Sequence, residues 1–162
     1  MKYFLFVYCL FLLSCSNINT QTPKVDAISK WKIIDESVRD SWDRDSLIDK
    51  LGKANETEQS TEKSPETWIY YHESTGTQEW AFELNSDGKI VSVTYFPSSD
   101  NFQEFRLSEI KKRWGSLSCV DKKDKIVYPD FVKEISYVSC DNKKRYVEYN
   151  RYGEVASISI EK

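Results

Sequence analysis

The chain has 162 residues, of which 40% are hydrophobic, 14% aromatic and 30% charged, and its formal net charge is −3. These values suit one globular domain or two small fused halves whose core is built from large aromatic side chains. Acidic and basic residues are interspersed without a basic stripe, so we expect no nucleic-acid partner.

The N-terminus has the features of an export signal. Lys2 gives it a positive start, and the apolar run Tyr3–Leu13 is shorter than the roughly 20 residues that span a bilayer. A small residue, Ser14, then precedes Cys15. We therefore predict a signal peptide over residues 1–14, followed over residues 15–25 by Cys15 and a polar tether.

The tetrad Leu12-Leu13-Ser14-Cys15 resembles the lipobox of bacterial lipoproteins. That resemblance implies cleavage before Cys15 and attachment of acyl chains such as palmitate to it, which would anchor the protein to a membrane. Ser16 in place of Asp after the cysteine favours the outer membrane, by similarity to enterobacterial lipoproteins. A plain secretory signal, with Cys15 incidental, is the alternative.

The four cysteines then divide by position. Cys9 leaves with the signal peptide and Cys15 is taken by lipid, so Cys119 and Cys140 remain as the pair that could form a disulfide in an exported compartment. Two separate thiols are the alternative. A metal site is disfavoured, because two cysteines without a CxxC spacing or a nearby His make a poor zinc site.

Residues 26–98 predict two helices followed by three strands. The first helix carries its apolar residues on one face (Ile28, Trp31, Ile34 and Val38). The second begins at an Asp43 N-cap and ends at Gly52. An acidic group (Asp40, Asp43, Asp45 and Asp49) could suggest calcium, but it lacks the Gly and closing Glu of an EF-hand loop, so we interpret it as capping.

A polar loop, Asn55–Glu66, separates the helices from a strand at Thr67–Glu73 and a hairpin at Trp80–Phe96. Gly88 would close the hairpin turn with a positive φ angle. His72 is the single histidine of the chain. The sequence shows no partner nucleophile or metal ligands for it, so we interpret it as a sheet residue and not a catalytic one.

The hairpin recurs in residues 99–162, where Gly153 matches Gly88 with an offset of 153 minus 88, or 65. A helical pattern ends at Gly115, a charged surface loop follows at Asp121–Lys125, and three strands complete this half: Glu134–Cys140, Arg145–Asn150 and Glu154–Glu161. The predicted fold is α+β, with tandem helix-plus-antiparallel-sheet repeats in the order ααβββ then αβββ.

The order Trp31, Asp43-Arg44-Asp45-Ser46-Leu47, Leu51-Gly52-Lys53, Trp68-Ile69-Tyr70 and Asp87-Gly88 resembles the SmpA/OmlA type of outer-membrane lipoprotein domain. That group includes the small lipoprotein of the barrel-assembly machinery, and its fold relatives include the tandem β-lactamase-inhibitor protein. The resemblance implies a domain that binds proteins through sheet or loop surfaces and is not an enzyme. The chain departs from the pattern at Ala54 and at Ser41-Trp42.

Alternation in the two hairpins predicts a buried and a polar face of the sheet. The predicted core face holds Trp80, Phe82, Leu84, Val91, Val93, Tyr95, Val147, Tyr149, Ala156, Ile158 and Ile160. The predicted polar face holds Glu83, Ser92, Thr94, Tyr146, Glu148, Ser157 and Ser159. We expect protein-binding anchors at Trp68, Tyr70, Glu83, Tyr146 and Glu148; a merely solvated face is the alternative.

Three functions are compatible with these features. The first is a membrane-anchored envelope lipoprotein that acts as a non-catalytic interaction or assembly module. The second is an inhibitor or ligand-capture lipoprotein that acts on an exported hydrolase. The third is an enzyme, but GxSxG, HExxH, phosphate-loop and Cys–His patterns are lacking, and Glu83 with Glu148 as paired carboxylates is the weaker interpretation of a repeated surface position. We expect no cofactor.

Overall fold

The computed structural model describes residues 27–62, 64–98, 105–115, 117–127, 132–142 and 144–162. The predicted signal peptide, Cys15 and its tether lie outside these residues. The described helices are α1 (Ala27–Arg39), α2 (Arg44–Leu51) and α3 (Leu107–Arg113). The strands are β1 (Glu56–Glu58), β2 (Glu66–Tyr71), β3 (Gln78–Leu84), β4 (Ile90–Tyr95), β5 (Cys119–Val127), β6 (Val132–Cys140), β7 (Arg145–Tyr149) and β8 (Val155–Glu161).

The eight strands form one sheet in the order β1-β2-β3-β4-β8-β7-β6-β5, and every neighbouring pair is antiparallel. The predicted α+β class is therefore confirmed. Two four-strand meanders meet where β4 pairs with β8. At that junction Thr94 lies opposite Ser159, and their hydroxyl oxygens are 2.9 Å apart.

Each half contains four strands, so the prediction of three per half was wrong. The predicted loop Asn55–Glu66 contains β1, and the predicted surface loop Asp121–Lys125 lies within β5. Both are edge strands of the sheet. Charged residues are common on edge strands, where they discourage pairing with other chains, and they hide the apolar alternation by which strands are recognised.

Helix α2 begins and ends as predicted. The Asp43 carboxylate accepts a hydrogen bond from the Ser46 backbone N–H at 3.0 Å, and the Gly52 N–H donates to the carbonyl of Ile48 with φ at 79°. Hydrogen bonds from Lys89 and Ser46 hold the pKa of Asp43 well below its ordinary value. A capping role therefore accounts for Asp43 without a bound cation.

The two hairpin turns have the same construction. Gly88 and Gly153 have φ angles of 71° and 78°, which confirms the prediction that they close the turns in the left-handed region. In the first turn the side-chain oxygen of Asn85 accepts from the backbone N–H groups of residues 87 and 89. In the second, Asn150 accepts from residues 152 and 154 in the same way.

The core lies between one face of the sheet and the helices. Its rows follow the strand register: Trp68, Phe82, Val93 and Ile160 form one row, and Tyr70, Trp80, Tyr95, Ile158, Val147 and Val138 form another. Buried residues of all three helices complete it, including Ile34, Leu47 and Ile110. Large aromatic side chains thus supply much of the buried apolar surface.

Two positions that were predicted for the core face were assigned wrongly. Ala156 is exposed and Val91 is half-buried, whereas their neighbours Val155 and Ile90 are buried in the core. The register shifts between Glu83 and Leu84 and again between residues 148 and 149. A β-bulge of this kind adds one residue to a strand, so the side chains at the start of that strand point to the opposite face from the one that simple alternation predicts.

Charged groups connect α1 to both halves of the sheet. The Lys30 ammonium of α1 lies 2.5 Å from the Glu79 carboxylate of β3 and 5.4 Å from the centre of the Tyr95 ring. The side chains of Lys30 and Glu79 retain 8% and 16% of their exposure. Asp35 of α1 pairs with Arg113 at 2.7 Å and, more loosely, with Arg145 at 3.4 Å.

A disulfide joins Cys119 of β5 to Cys140 of β6, as predicted. The two residues are direct register partners with Cα atoms 4.0 Å apart and a sequence separation of 21. Cys140 is buried in the core, whereas Cys119 is exposed. The bond therefore fastens the end of an edge strand to the interior of the sheet.

Loss of this bond should lower the free energy of unfolding. We expect about 2 kcal/mol for the double variant Cys119→Ala/Cys140→Ala, because the unfolded chain regains the freedom that the closed loop removed. Urea unfolding of both proteins measures the difference, and dithiothreitol should affect the wild type alone. Recovery of both cysteines as free, alkylatable thiols from unreduced protein would contradict the assignment.

Candidate functional site

The second face of the sheet, called the open face below, lies opposite the core. All three described helices pack on the core side, and no described element covers this one. One row of register partners crosses it from β2 to β6: Ile69, Ala81, Thr94, Ser159, Tyr146 and Ser139. Side chains in the middle strands of this face are short, and three of its serines are buried: Ser92, Ser139 and Ser157.

The open face is mainly acidic among the side chains that the structure describes. Register and alternation place on it the carboxylates of Glu56, Glu58, Glu83, Asp124, Glu148 and Glu161. Lys122 of β5 contributes an ammonium group. A protein that presents basic groups would therefore complement this surface.

A groove of about 450 Å³ lies in the second half of the open face. We call it the tyrosine groove and define it by its lining residues: Lys122, Tyr137, Ser139, Tyr146, Ser159 and Glu161. The rings of Tyr137 and Tyr146 form a pair with centroids 4.8 Å apart and planes inclined by 36°. A smaller concavity of about 370 Å³ adjoins it toward Val120 and shares Lys122 and Ser139.

The Tyr146 hydroxyl has a raised pKa, because it is partly buried and lies near carboxylates. Partial burial is the main cause that raises the pKa of Tyr146, and the carboxylates of Glu148 and Asp124 and the neighbouring Tyr137 hydroxyl raise it further, because each disfavours a phenolate. Glu148 is the register partner of Tyr137, so one carboxylate lies beside the tyrosine pair within the sheet. The groove thus combines aromatic faces with carboxylates.

Comparison with known proteins identifies the family. The model for the family described as "Domain of unknown function (DUF4309)" matches residues 26–153, most of the chain. The chain belongs to the DUF4309 family. A solved structure of a DUF4309 family protein, YjgB from Bacillus subtilis subsp. subtilis str. 168, is similar over 74% of this chain and 77% of its own, with 9% identity and a TM-score of 0.45. None of the curated proteins compared with the sequence matches it.

The open face of this DUF4309 protein holds three of the five predicted binding residues: Glu83, Tyr146 and Glu148. The other two, Trp68 and Tyr70, are core residues with 9% and 5% exposure. The Trp68 indole donates to Glu66, and the Tyr70 hydroxyl donates to the Gly52 carbonyl at 3.2 Å. Trp68 and Tyr70 lie on the same face of the sheet as Phe82, beneath the helices, so the prediction that they bind a partner protein was wrong.

Glu83 and Glu148 do not form a carboxylate pair. They lie on β3 and β7, which β4 and β8 separate, so three strand spacings of about 4.8 Å put their backbones at least about 14 Å apart. The register adds an offset along the strands, because Glu83 leads through Ser92 to Glu161 on β8, whereas Glu148 pairs with Ser157. Paired carboxylates in glycosidases lie about 5 to 9.5 Å apart. The weaker acid–base interpretation of these two residues is therefore wrong.

The His72 imidazole contacts the Ser74 hydroxyl, which lies 2.9 Å from its Nδ1 atom. Both residues belong to the turn between β2 and β3, and this local bond accounts for the position of the imidazole. Within the described part of the chain, no cluster of three potential metal ligands occurs. Of the described helices, none has the length and apolar character needed to cross a membrane.

Sequence reasoning missed Lys122, Tyr137, Ser139 and Glu161 as parts of the groove. Lys122 lies in β5, whose charged residues predict a surface loop from the sequence alone. Tyr137 and Tyr146 become neighbours through the pairing of β6 with β7, in which Ser139 lies opposite Tyr146. The alternation of Ile135, Tyr137 and Ser139 along β6 was the available signal, but it does not reveal the register of the neighbouring strands.

Proposed function

We propose that this DUF4309 protein is a lipid-anchored, non-catalytic interaction module of the bacterial envelope that binds another protein through its open face. The observation that carries the proposal is the eight-stranded sheet, which has helices on one face and a second face that no described element covers and whose described charges are mainly acidic. An antiparallel sheet does not need its second face for its own core. The lipobox-like tetrad ending at Cys15 supports anchoring.

We also propose that residues 26–98 and 99–162 are two copies of one unit, as in the tandem relatives of SmpA/OmlA-like domains. The bulges at Glu83 and Glu148 lie 148 minus 83, or 65, residues apart. The same spacing relates the Asn85 and Asn150 turns. The spacing of 65 residues also relates the register pairs of the β4–β8 junction. It converts the pair Val93–Ile160 into the pair Ile158–Tyr95, and it relates Thr94 to its own partner Ser159. The two copies would together provide one continuous binding surface.

Charge reversal on the open face should reduce partner recovery without unfolding the protein. In intact cells, a photo-crosslinking residue at Glu148 should capture an envelope protein, and Glu83→Lys or Tyr146→Ala should lower the yield several-fold. Asp49→Lys, on an exposed position of α2, is the matched charge control. Circular dichroism should show unchanged folding, because these positions are partly exposed.

The outcome also decides among functions. Capture of a soluble exported hydrolase would favour an inhibitor. Equal crosslinking from Asp49 and from Glu148, or yields that Glu83→Lys leaves unchanged, would contradict the open face as the binding surface.

Lipidation can be tested separately. Intact-mass analysis should find the mature chain beginning at an acylated Cys15, and Cys15→Ala should accumulate as uncleaved precursor because the lipobox-like tetrad is lost. An unmodified N-terminus on the wild-type protein, or cleavage at another position, would remove the support for membrane anchoring.

A further inference from the structure

The tyrosine groove presents aromatic rings and acidic groups at one place. Cations are attracted to the faces of tyrosine rings, and the attraction strengthens where water is partly excluded. The Tyr137 and Tyr146 rings lie 4.8 Å apart, and Glu161 lines the same groove. Glu148 is opposite Tyr137 in the register. The rings and carboxylates together favour a positively charged group.

The floor of the groove leaves room for such a group. Ser139 and Ser159 are short side chains on either side of Tyr146 in the register, and each lies where a larger residue would fill the space. A volume of about 450 Å³ is at the small end of binding sites, which suits one or two side chains rather than a large ligand.

We propose that the tyrosine groove binds an arginine or lysine side chain of an extended protein segment. This inference rests on the proposed interaction function and names the chemistry of the partner. The cation packs on the rings of Tyr137 and Tyr146 and pairs with Glu161 and Glu148. The acidic residues of the remaining open face attract further basic groups of the segment and raise its association rate.

Lys122 is the group that opposes this arrangement. It lines the groove and is the register partner of Tyr137, so its ammonium repels an incoming cation. The proposal therefore requires that Lys122→Met strengthen the binding of a basic segment. A groove built for an acidic segment would show the reverse, because Lys122 would then be its main attractive charge.

Binding can be measured by NMR on the purified full chain in non-ionic detergent. The probe is an Arg-Ser-Arg-Ser-Arg-Ser peptide, and the matched peptide carries Glu in place of Arg. We expect amide shifts at Tyr137, Ser139, Tyr146 and Ser159 with the basic peptide, and a weaker effect as salt concentration rises. Tyr146→Leu should weaken binding about fivefold and Tyr146→Phe, which keeps the ring, much less.

The control variant Asp49→Asn, which removes a carboxylate from α2, should leave the affinity unchanged. Tighter binding by Lys122→Met supports the proposal. Shifts with the acidic peptide, shifts confined to residues outside the groove, or no shifts would overturn it. Crosslinking from Glu148 in cells distinguishes the failures: a captured partner without peptide binding removes this inference alone, whereas peptide binding without a captured partner removes the proposed function.

Discussion

Phe82→Ala should lower the free energy of unfolding by about 3 to 5 kcal/mol, the range for removing a phenylalanine from a packed core. Phe82 is fully buried in β3, and its ring lies 5.8 Å from Tyr70 and 5.9 Å from Trp80. These large neighbours cannot all shift to fill the space, so a cavity should remain. Urea unfolding followed by tryptophan fluorescence provides the measurement.

Tyr146→Ala is the matched aromatic control for Phe82→Ala. It removes a half-exposed ring from the open face, so its effect on stability should be below about 1 kcal/mol. If Phe82→Ala left the unfolding midpoint unchanged while Tyr146→Ala unfolded the protein, the two faces of the sheet would have to be exchanged.

Glu79→Ala should destabilise the protein by about 3 kcal/mol, since it leaves the Lys30 ammonium nearly buried without a carboxylate. Lys30 also lies over the Tyr95 ring, so it cannot move to water without disturbing the contact between α1 and β4. The double variant Lys30→Met/Glu79→Leu removes both charges and should recover most of the loss. Urea unfolding of the complete double-mutant cycle measures these effects.

An exposed ion pair on the same helix supplies the comparison. Lys32 and Glu36 are 4.0 Å apart, and the Lys32 side chain is 69% exposed. Lys32→Ala should therefore change stability by less than about 0.5 kcal/mol. Equal effects of Lys32→Ala and Glu79→Ala would mean that water reaches the Lys30 pair as freely as the surface pair.

The sequence was sufficient for those elements that carry their signal locally. The ends of α2 could be predicted because Asp43 and Gly52 each satisfy a helix terminus through their own chemistry. The cores of β3 and β4 could be predicted because one face of each strand is apolar. The disulfide could be predicted because the expected processing leaves one pair of cysteines.

The remaining features depend on contacts between distant residues. A bulge is a property of two paired strands, so alternation continued along β4 from Val93 assigns Val91 to the core in place of Ile90. The tyrosine groove likewise requires the β6–β7 register, which no single strand encodes. Edge strand β5 was missed because its charged residues suit both a surface loop and a protected edge.

The junction of β4 with β8 has a consequence for how the protein could have arisen. Its register is the one that two copies of a single subunit would adopt around a two-fold axis between Thr94 and Ser159. In a fused chain the halves meet at a fixed effective concentration, so their association no longer depends on the abundance of the protein. If the two halves arose by the proposed duplication, fusion would also have allowed their sequences to diverge.

Under the proposed duplication, the two halves have diverged on the open face. Where the second half pairs Tyr137 with Glu148 and Tyr146 with Ser139, the first pairs Thr67 with Glu83 and Ala81 with Ile69. At these positions both halves keep the carboxylate, whereas the two tyrosine rings occur only in the second half. A symmetric homodimer would have to carry two identical grooves, whereas this single chain can present one specialised groove beside a plainer acidic surface.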